Sequence, residues 1–90
     1  MKFDKNKEAA TAVMFKALSH PARIWIVRQL AKEEHCVFEF VKALDVEFAT
    51  VSRHLAKLKR AGLLTSHKMG REIWYKLNRP AITKILRLLS

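Results

Sequence analysis

The side chains in this chain that could act on a ligand fall into two groups: cations and small polar residues spread from Ala49 to Arg71, and the adjacent pair His35-Cys36. In the first group Arg53, Lys57 and Arg60 alternate with Ala49, Thr50, Ser52 and Ala56, and Lys68 and Arg71 follow further on. An arginine fork donates two parallel hydrogen bonds to the edge of a guanine, and lysine or arginine neutralises phosphate. In the second group a thiolate and an imidazole are both metal ligands, but soft ions need two to four such donors. Neighbouring residues on a helix also diverge by about 100°. No carboxylate pair or nucleophile beside a base stands out, and the two glycines form no loop to cradle a phosphate, so an enzyme is not expected and no cofactor is implied.

Charge supports the first group. Eighteen Lys and Arg against eight Asp and Glu give a formal net charge of +10 and a pI near 10.3. Such a balance attracts polyanions, nucleic acid first among them. Ninety residues suit one domain, 1–90, whose core is thin. Half the residues are apolar, which leaves surface for a partner subunit. No apolar run approaches the roughly 20 residues of a membrane span, and no signal-like segment opens the sequence. With a single cysteine, Cys36, the pattern fits a reducing cytoplasm and no membrane partner.

Periodicity and punctuation give the elements that must position these groups. A first helix is expected over about Lys7–Leu18, with Ala9, Ala10, Val13 and Ala17 on one face and Met14, Phe15 and Leu18 widening the apolar arc. Ser19-His20-Pro21 breaks it, and Pro21 suits the first turn of a second helix, which would bury Ile24, Val27, Leu30 and Ala31. A short third helix, Val37–Leu44, ends in the tight turn Asp45-Val46-Glu47, Asp being tolerant of left-handed backbone. The fourth runs from Phe48 to Ala61 and stops at Gly62. Strands at Leu64–Lys68 and Arg71–Leu77 flank Met69-Gly70, and Arg79-Pro80 opens a last helix to Ser90. The fold class is mainly α with a small two-stranded β wing: a winged helix-turn-helix in the order helix-helix-helix-helix-strand-strand-helix.

On a wheel, Val51, Leu55, Leu58 and Gly62 cluster within about 60° and mark the core side of the fourth helix. Ala49, Arg53, Ala56 and Arg60 lie opposite, flanked by Ser52 and Lys57. A major groove admits a helix whose contact face is not bulky, and its N-terminal half meets the bases. Ala49, Thr50, Ser52 and Arg53 are therefore the candidate readers. Lys57 and Arg60 fit phosphates, while His67, Lys68 and Arg71 gather near the hairpin tip and fit backbone or minor groove. An ordinary solvated helix can carry the same cations, but the tight turn before it and the basic hairpin after it weigh against that alternative. His54, about 60° from Val51, is expected to be structural, hydrogen-bonded under the wing. Phe48 lies equally near the core edge.

These residues carry a family resemblance. Lys16-Ala17-Leu18-Ser19-His20-Pro21-Ala22-Arg23 resembles the helix entry of the ArsR/SmtB repressors. Thr50-Val51-Ser52-Arg53-His54-Leu55 with Ala61-Gly62-Leu63-Leu64 is similar to their recognition helix and its exit. Lys68-Met69-Gly70-Arg71-Glu72-Ile73-Trp74-Tyr75-Lys76-Leu77 is similar to their wing. The resemblance implies a homodimeric repressor on a palindromic operator, joined through its first and last helices (1–18 and 80–90). Val13, Ala17, Ile82, Ile85, Leu86 and Leu89 are the matching apolar residues, although the last helix could also serve its own core.

Departures bear on readout and on the effector. The family often has Gln and Ser where this chain has Phe48 and Ala49. Of its Cys-Val-Cys metal motif, only Cys36 remains, with Phe38 in place of the second thiol and expected to pack the segment into the core. Residues Ala81 to Ser90 contain no Asp, His or Glu for the family's other metal site. A repressor with no metal site is the leading expectation. A metal- or thiol-responsive repressor using Cys36 and a winged helix serving protein contacts are the alternatives.

Overall fold

The computed structural model describes residues 1–89, so the expected end of the last helix at Ser90 lies outside it. Helix α1 (Lys5–Leu18) opens at Asp4, whose carboxylate accepts the Lys7 backbone N–H at 3.1 Å. Helix α2 (Pro21–Leu30) starts with proline in its first turn, and the His20 Nδ1 takes the capping role by accepting the Ala22 N–H at 3.1 Å. Strand β1 (His35–Cys36) leads directly into α3 (Val37–Leu44). That helix ends at Asp45 in left-handed backbone, φ 53° and ψ 49°, which swings the chain into α4 (Phe48–Arg60). Strands β2 (Leu64–Met69) and β3 (Glu72–Leu77) and helix α5 (Arg79–Leu89) complete the chain.

Two features differ from the periodicity reading. The sheet has three antiparallel strands in the order β1-β3-β2, because His35 and Cys36 pair with Tyr75 and Trp74. The expected two-stranded wing is present as the β2–β3 hairpin, and its strand β3 is in addition stitched to the start of α3. The second difference is the facing of α2. Ile24 and Ala31 were expected inside, yet both are exposed and Val27 is only half-buried; the centre of the buried face is Ile26, with Leu30. Ile24 lies about 160° around the helix from Ile26. α2 packs on α1, α4 and β3, and the face meeting them takes Ile26. Trp25 flanks that face and meets Phe40 edge-on, with centroids 5.9 Å apart.

The core is built from Ile26, Leu30, Phe40, Val51, Leu55, Leu58 and Leu63, contributed by α2, α3, α4 and the α4 exit. That exit is a Schellman motif. The Leu63 N–H reaches the Leu58 carbonyl at 3.0 Å, the Gly62 N–H reaches that of Lys59 at 2.9 Å, and Gly62 has φ 85°. Leu58 and Leu63, the apolar pair that closes such a motif, are both fully buried. Asn78 then ties the exit to the last helix. Its side-chain Nδ2 donates to the Gly62 carbonyl at 2.9 Å, and its own carbonyl accepts the first α5 amides.

α1 and α5 are sparsely covered. Ala17 is the buried residue of α1, and Ala81 and Ile85 are those of α5. Val13, Leu86, Leu88 and Leu89 are all more than half exposed.

Gly62→Ala should lower folding stability by about 1–2 kcal/mol, the cost of left-handed backbone for a residue with a Cβ. The new methyl would meet only the Met14 Cε at 3.8 Å, an ordinary contact, so in the folded state backbone strain is the effect that counts. Urea unfolding checks this: the midpoint falls while the slope is unchanged.

Candidate nucleic-acid interface

The inner side of α4 fixes what its outer side can do. Val51, Leu55 and Leu58 are completely removed from solvent between α1, α2, α3 and β2. Turning the helix by one residue would expose all of them. With that side anchored, Ala49, Arg53, Ala56, Lys57 and Arg60 are exposed, and Thr50 and Ser52 sit half-buried on the flanks. Among the described residues, no hydrogen bond or ion pair occupies the side chain of Lys57 or Arg60. Their charge is open to an external anion.

Two contacts hold this helix to its neighbours, and neither was read from the sequence. The Lys59 Nζ donates to Ser66 Oγ at 2.7 Å, linking α4 to strand β2. Lys59 lies about 80° from Val51 on the flank shared with Ser52, so its direction was legible although its partner was not. On the other flank the Arg23 Nε donates to His54 Nδ1 at 3.1 Å, while the Arg23 Nη1 reaches the Ala17 carbonyl at 3.3 Å. His54 is therefore structural, but it lies under the entry of α2 rather than under the wing. The reason is its helical direction: His54 and Lys59 sit on opposite sides of the core stripe. The His54 ring also tilts against His20, with centroids 4.6 Å apart. Burial, followed by the nearby charges of His20, Arg23, Arg53 and Lys57, holds its pKa below the ordinary imidazole value. A neutral ring is what the Arg23 hydrogen bond needs, since Nδ1 must keep its lone pair.

The hairpin tip is Gly70-Arg71, with Met69 still paired to Glu72. Gly70 takes φ 64°, the positive value that a two-residue hairpin turn requires. Arg71 is consequently a turn residue and not the first residue of its strand; both it and Lys68 are exposed. His67 sits back from the tip. It pairs across the sheet with Trp74, and its Nε2 lies 3.4 Å from Glu34 Oε1.

Around Cys36 the structure holds a buried thiol at the α3 N-terminus. Its backbone N–H donates to Glu39 Oε1 at 3.0 Å, and burial is the main cause pushing the thiol pKa up. The same backbone hydrogen bond is the chief reason that the Glu39 carboxyl titrates low. Among the described residues, no three His, Cys, Asp or Glu side chains converge on a point where an ion could sit. Phe38 does not pack into the core as its bulk implied; it is 59% exposed and leans on Phe48, itself 48% exposed. The first turn of α3 spends Val37 and Phe40 on the core, which leaves Phe38 on the outside.

Of the apolar residues assigned to a subunit interface, Ala17 and Ile85 are buried in the chain's own core and Ile82 is half-buried against it. Val13, Leu86 and Leu89 stay exposed. No described helix is long and apolar enough to cross a membrane.

Comparison with known proteins agrees with this geometry. The family model described as bacterial regulatory protein, arsR family, matches residues 20–66, from the cap of α2 into β2. The HTH-type transcriptional repressor SmtB of Mycobacterium tuberculosis is 46% identical over 68 residues, covering 76% of this chain and 50% of that protein. The chain thus spans half the length of that relative. The transcriptional repressor PagR of Bacillus anthracis is 35% identical over 80 residues, covering 88% of this chain and 80% of PagR. Among solved structures, HlyU from Vibrio cholerae superposes with a TM-score of 0.81 at 30% identity, covering 97% of this chain and 94% of HlyU. These relatives are regulators and not enzymes, and the chain belongs to the arsR family of bacterial regulatory proteins.

Proposed function

We propose that this chain is a cytoplasmic, homodimeric repressor that binds a palindromic DNA operator and works without a bound metal. In this reading residues 1–90 form one winged helix-turn-helix domain. The observation that carries the proposal is the two-sidedness of α4: a fully buried stripe opposite an exposed face of Ala49, Arg53, Ala56, Lys57 and Arg60. Small residues between the cations let the helix enter a major groove. Ala49, Thr50, Ser52 and Arg53 then lie at its leading end for base contact, while Lys57 and Arg60 reach phosphates. Lys68 and Arg71 carry positive charge to the flanking backbone or minor groove from the hairpin tip. The related SmtB and PagR are named as repressors, and the same sign of regulation is proposed here.

Metal independence rests on the donor set. Cys36 is buried, Phe38 stands where a second thiol would be needed, and α5 has no carboxylate or imidazole. Dimerisation rests on the exposed apolar residues of α1 and α5. Val13, Leu86 and Leu89 offer a seam to a second copy, and Ala17, Ile82 and Ile85 form its floor.

DNA binding is tested on a duplex selected by the protein from a random library. A dimer neutralising roughly 6–10 phosphates should give a slope of about −5 to −9 in log K against log salt. Arg71→Ala should weaken selected and random duplexes alike and flatten the slope. Arg53→Ala should cost roughly 1–3 kcal/mol on the selected duplex and much less on random DNA. Equal losses on both would make Arg53 a phosphate contact only.

The dimer is tested by Leu86→Asp, a position 58% exposed in the single chain. At so exposed a position the substitution should leave the monomer fold intact, while it would put a carboxylate into the proposed seam. Sedimentation should show monomer, and affinity for the selected duplex should collapse because its half-sites, about one helical turn apart, are no longer bridged. An unchanged dimer would reject α5 as the interface.

A further inference from the structure

We propose that Phe48, backed by Phe38, reads the C5-methyl group of a thymine in the major groove, giving the protein a methyl-dependent preference at one base pair of each half-site. The inference rests on the DNA-binding reading above and adds a contact that the cationic face does not supply.

Three observations converge on it. First, Phe48 begins α4, the helix whose exposed face is cationic, and its ring stays about half in water. A phenyl ring at that position gains nothing from solvent, and the buried stripe of the helix is already complete without it. Second, the ring is held. Phe38, the second residue of α3, tilts against it with centroids 5.3 Å apart and an interplanar angle of 43°. The pair borders a cleft of about 110 Å³ whose far wall is Arg71, Glu72 and Ile73 of the wing. Two aromatic rings fixed by each other lose little side-chain freedom on contact, so an apolar partner is met by a surface already in place. Third, the next residue continues the same chemistry: Ala49 is exposed and offers only a methyl group. The first two residues of α4, Phe48 and Ala49, therefore offer apolar surface and no side-chain hydrogen-bonding group.

The occupant follows from the chemistry of the groove. Base edges in the major groove are hydrogen-bond donors and acceptors with one apolar exception, the thymine methyl. A phenyl ring pressed against a donor or acceptor would strip its water and return no hydrogen bond, which is unfavourable. Against a methyl it buries apolar surface on both sides. Burying one methyl is worth about 0.8 kcal/mol, so loss of the contact should weaken binding by about three- to five-fold per half-site.

The test uses the full chain and the duplex enriched from a random library. Each thymine is replaced in turn by deoxyuridine, which pairs identically and lacks only the methyl group. For the wild type, one position per half-site should lose about three- to five-fold in affinity. Phe48→Ala should bind the thymine duplex more weakly and respond little to deoxyuridine at that position, as coupling between the two groups demands. Phe48→Leu, which keeps apolar bulk, should recover part of the thymine preference. Arg53→Ala should leave the methyl effect in place, since the two side chains act separately. If every deoxyuridine duplex binds like its parent, or the methyl effect is as large in Phe48→Ala as in the wild type, the inference is overturned while the DNA-binding reading stands. If no duplex is enriched, both fall together.

Discussion

The buried stripe Val51, Leu55 and Leu58 is the constraint on which the rest of this molecule depends. These side chains are fully enclosed between three helices and a strand, and each contributes about 1.5–3 kcal/mol by leaving water. In a chain this short such burial is a large share of what holds the fold. Its consequence is orientation. A helix locked along one side has no freedom to turn, so the residues on the far side are aimed by packing and not by any contact of their own. The Schellman exit at Gly62 fixes where the helix stops, and Asn78 fastens that stop to the next helix. Lys59 and Arg23 brace the two flanks, one toward the wing and one toward α2.

Electrostatics then acts on a rigid support. With net charge +10, the chain attracts any polyanion at long range, an effect that salt screens within about 10 Å at 0.1 M. Long-range attraction has no sequence preference. Discrimination requires short contacts at fixed positions, and the proposed reading draws them from Phe48, Arg53 and their neighbours on the packed helix. The neutral state of His54 belongs to the same logic. A second cation beside Arg23 would oppose the hydrogen bond that ties α4 to α2, and burial together with the surrounding charges keeps that proton off.

Much of this was legible in the sequence because it follows from local rules. The wheel of the fourth helix named its core residues, Gly62 marked its end, and Asp45 marked the left-handed turn before it. Basic residues flanking the hairpin glycine announced the wing. What escaped was decided by partners distant in the chain. A two-residue strand such as His35-Cys36 has no periodicity to read, and only its pairing with β3 defines it. The facing of α2 turned on which neighbours it met, since Ile24 and Ile26 are equally apolar. Phe38 looked like core by bulk alone, but its place in the first turn of α3, beside Val37 and Phe40, puts it outside. His54 was rightly placed at the edge of the buried face, yet which edge depended on Arg23, thirty-one residues away.

The exposed apolar residues of α1 and α5 stand apart from all of this, on helices that add little to the core. In the proposed reading they supply the face for a second subunit, and the central claim is that α4 and the wing tip form the face for DNA. Titrating isotope-labelled protein with its selected duplex, and following backbone amide resonances by NMR, tests that claim most directly. The account predicts the largest shifts at Phe48–Arg53 and at Lys68–Arg71, with the amides of the buried stripe moving least among α4 residues. Tight binding with shifts confined to α1 and α5, and α4 unmoved, would contradict it.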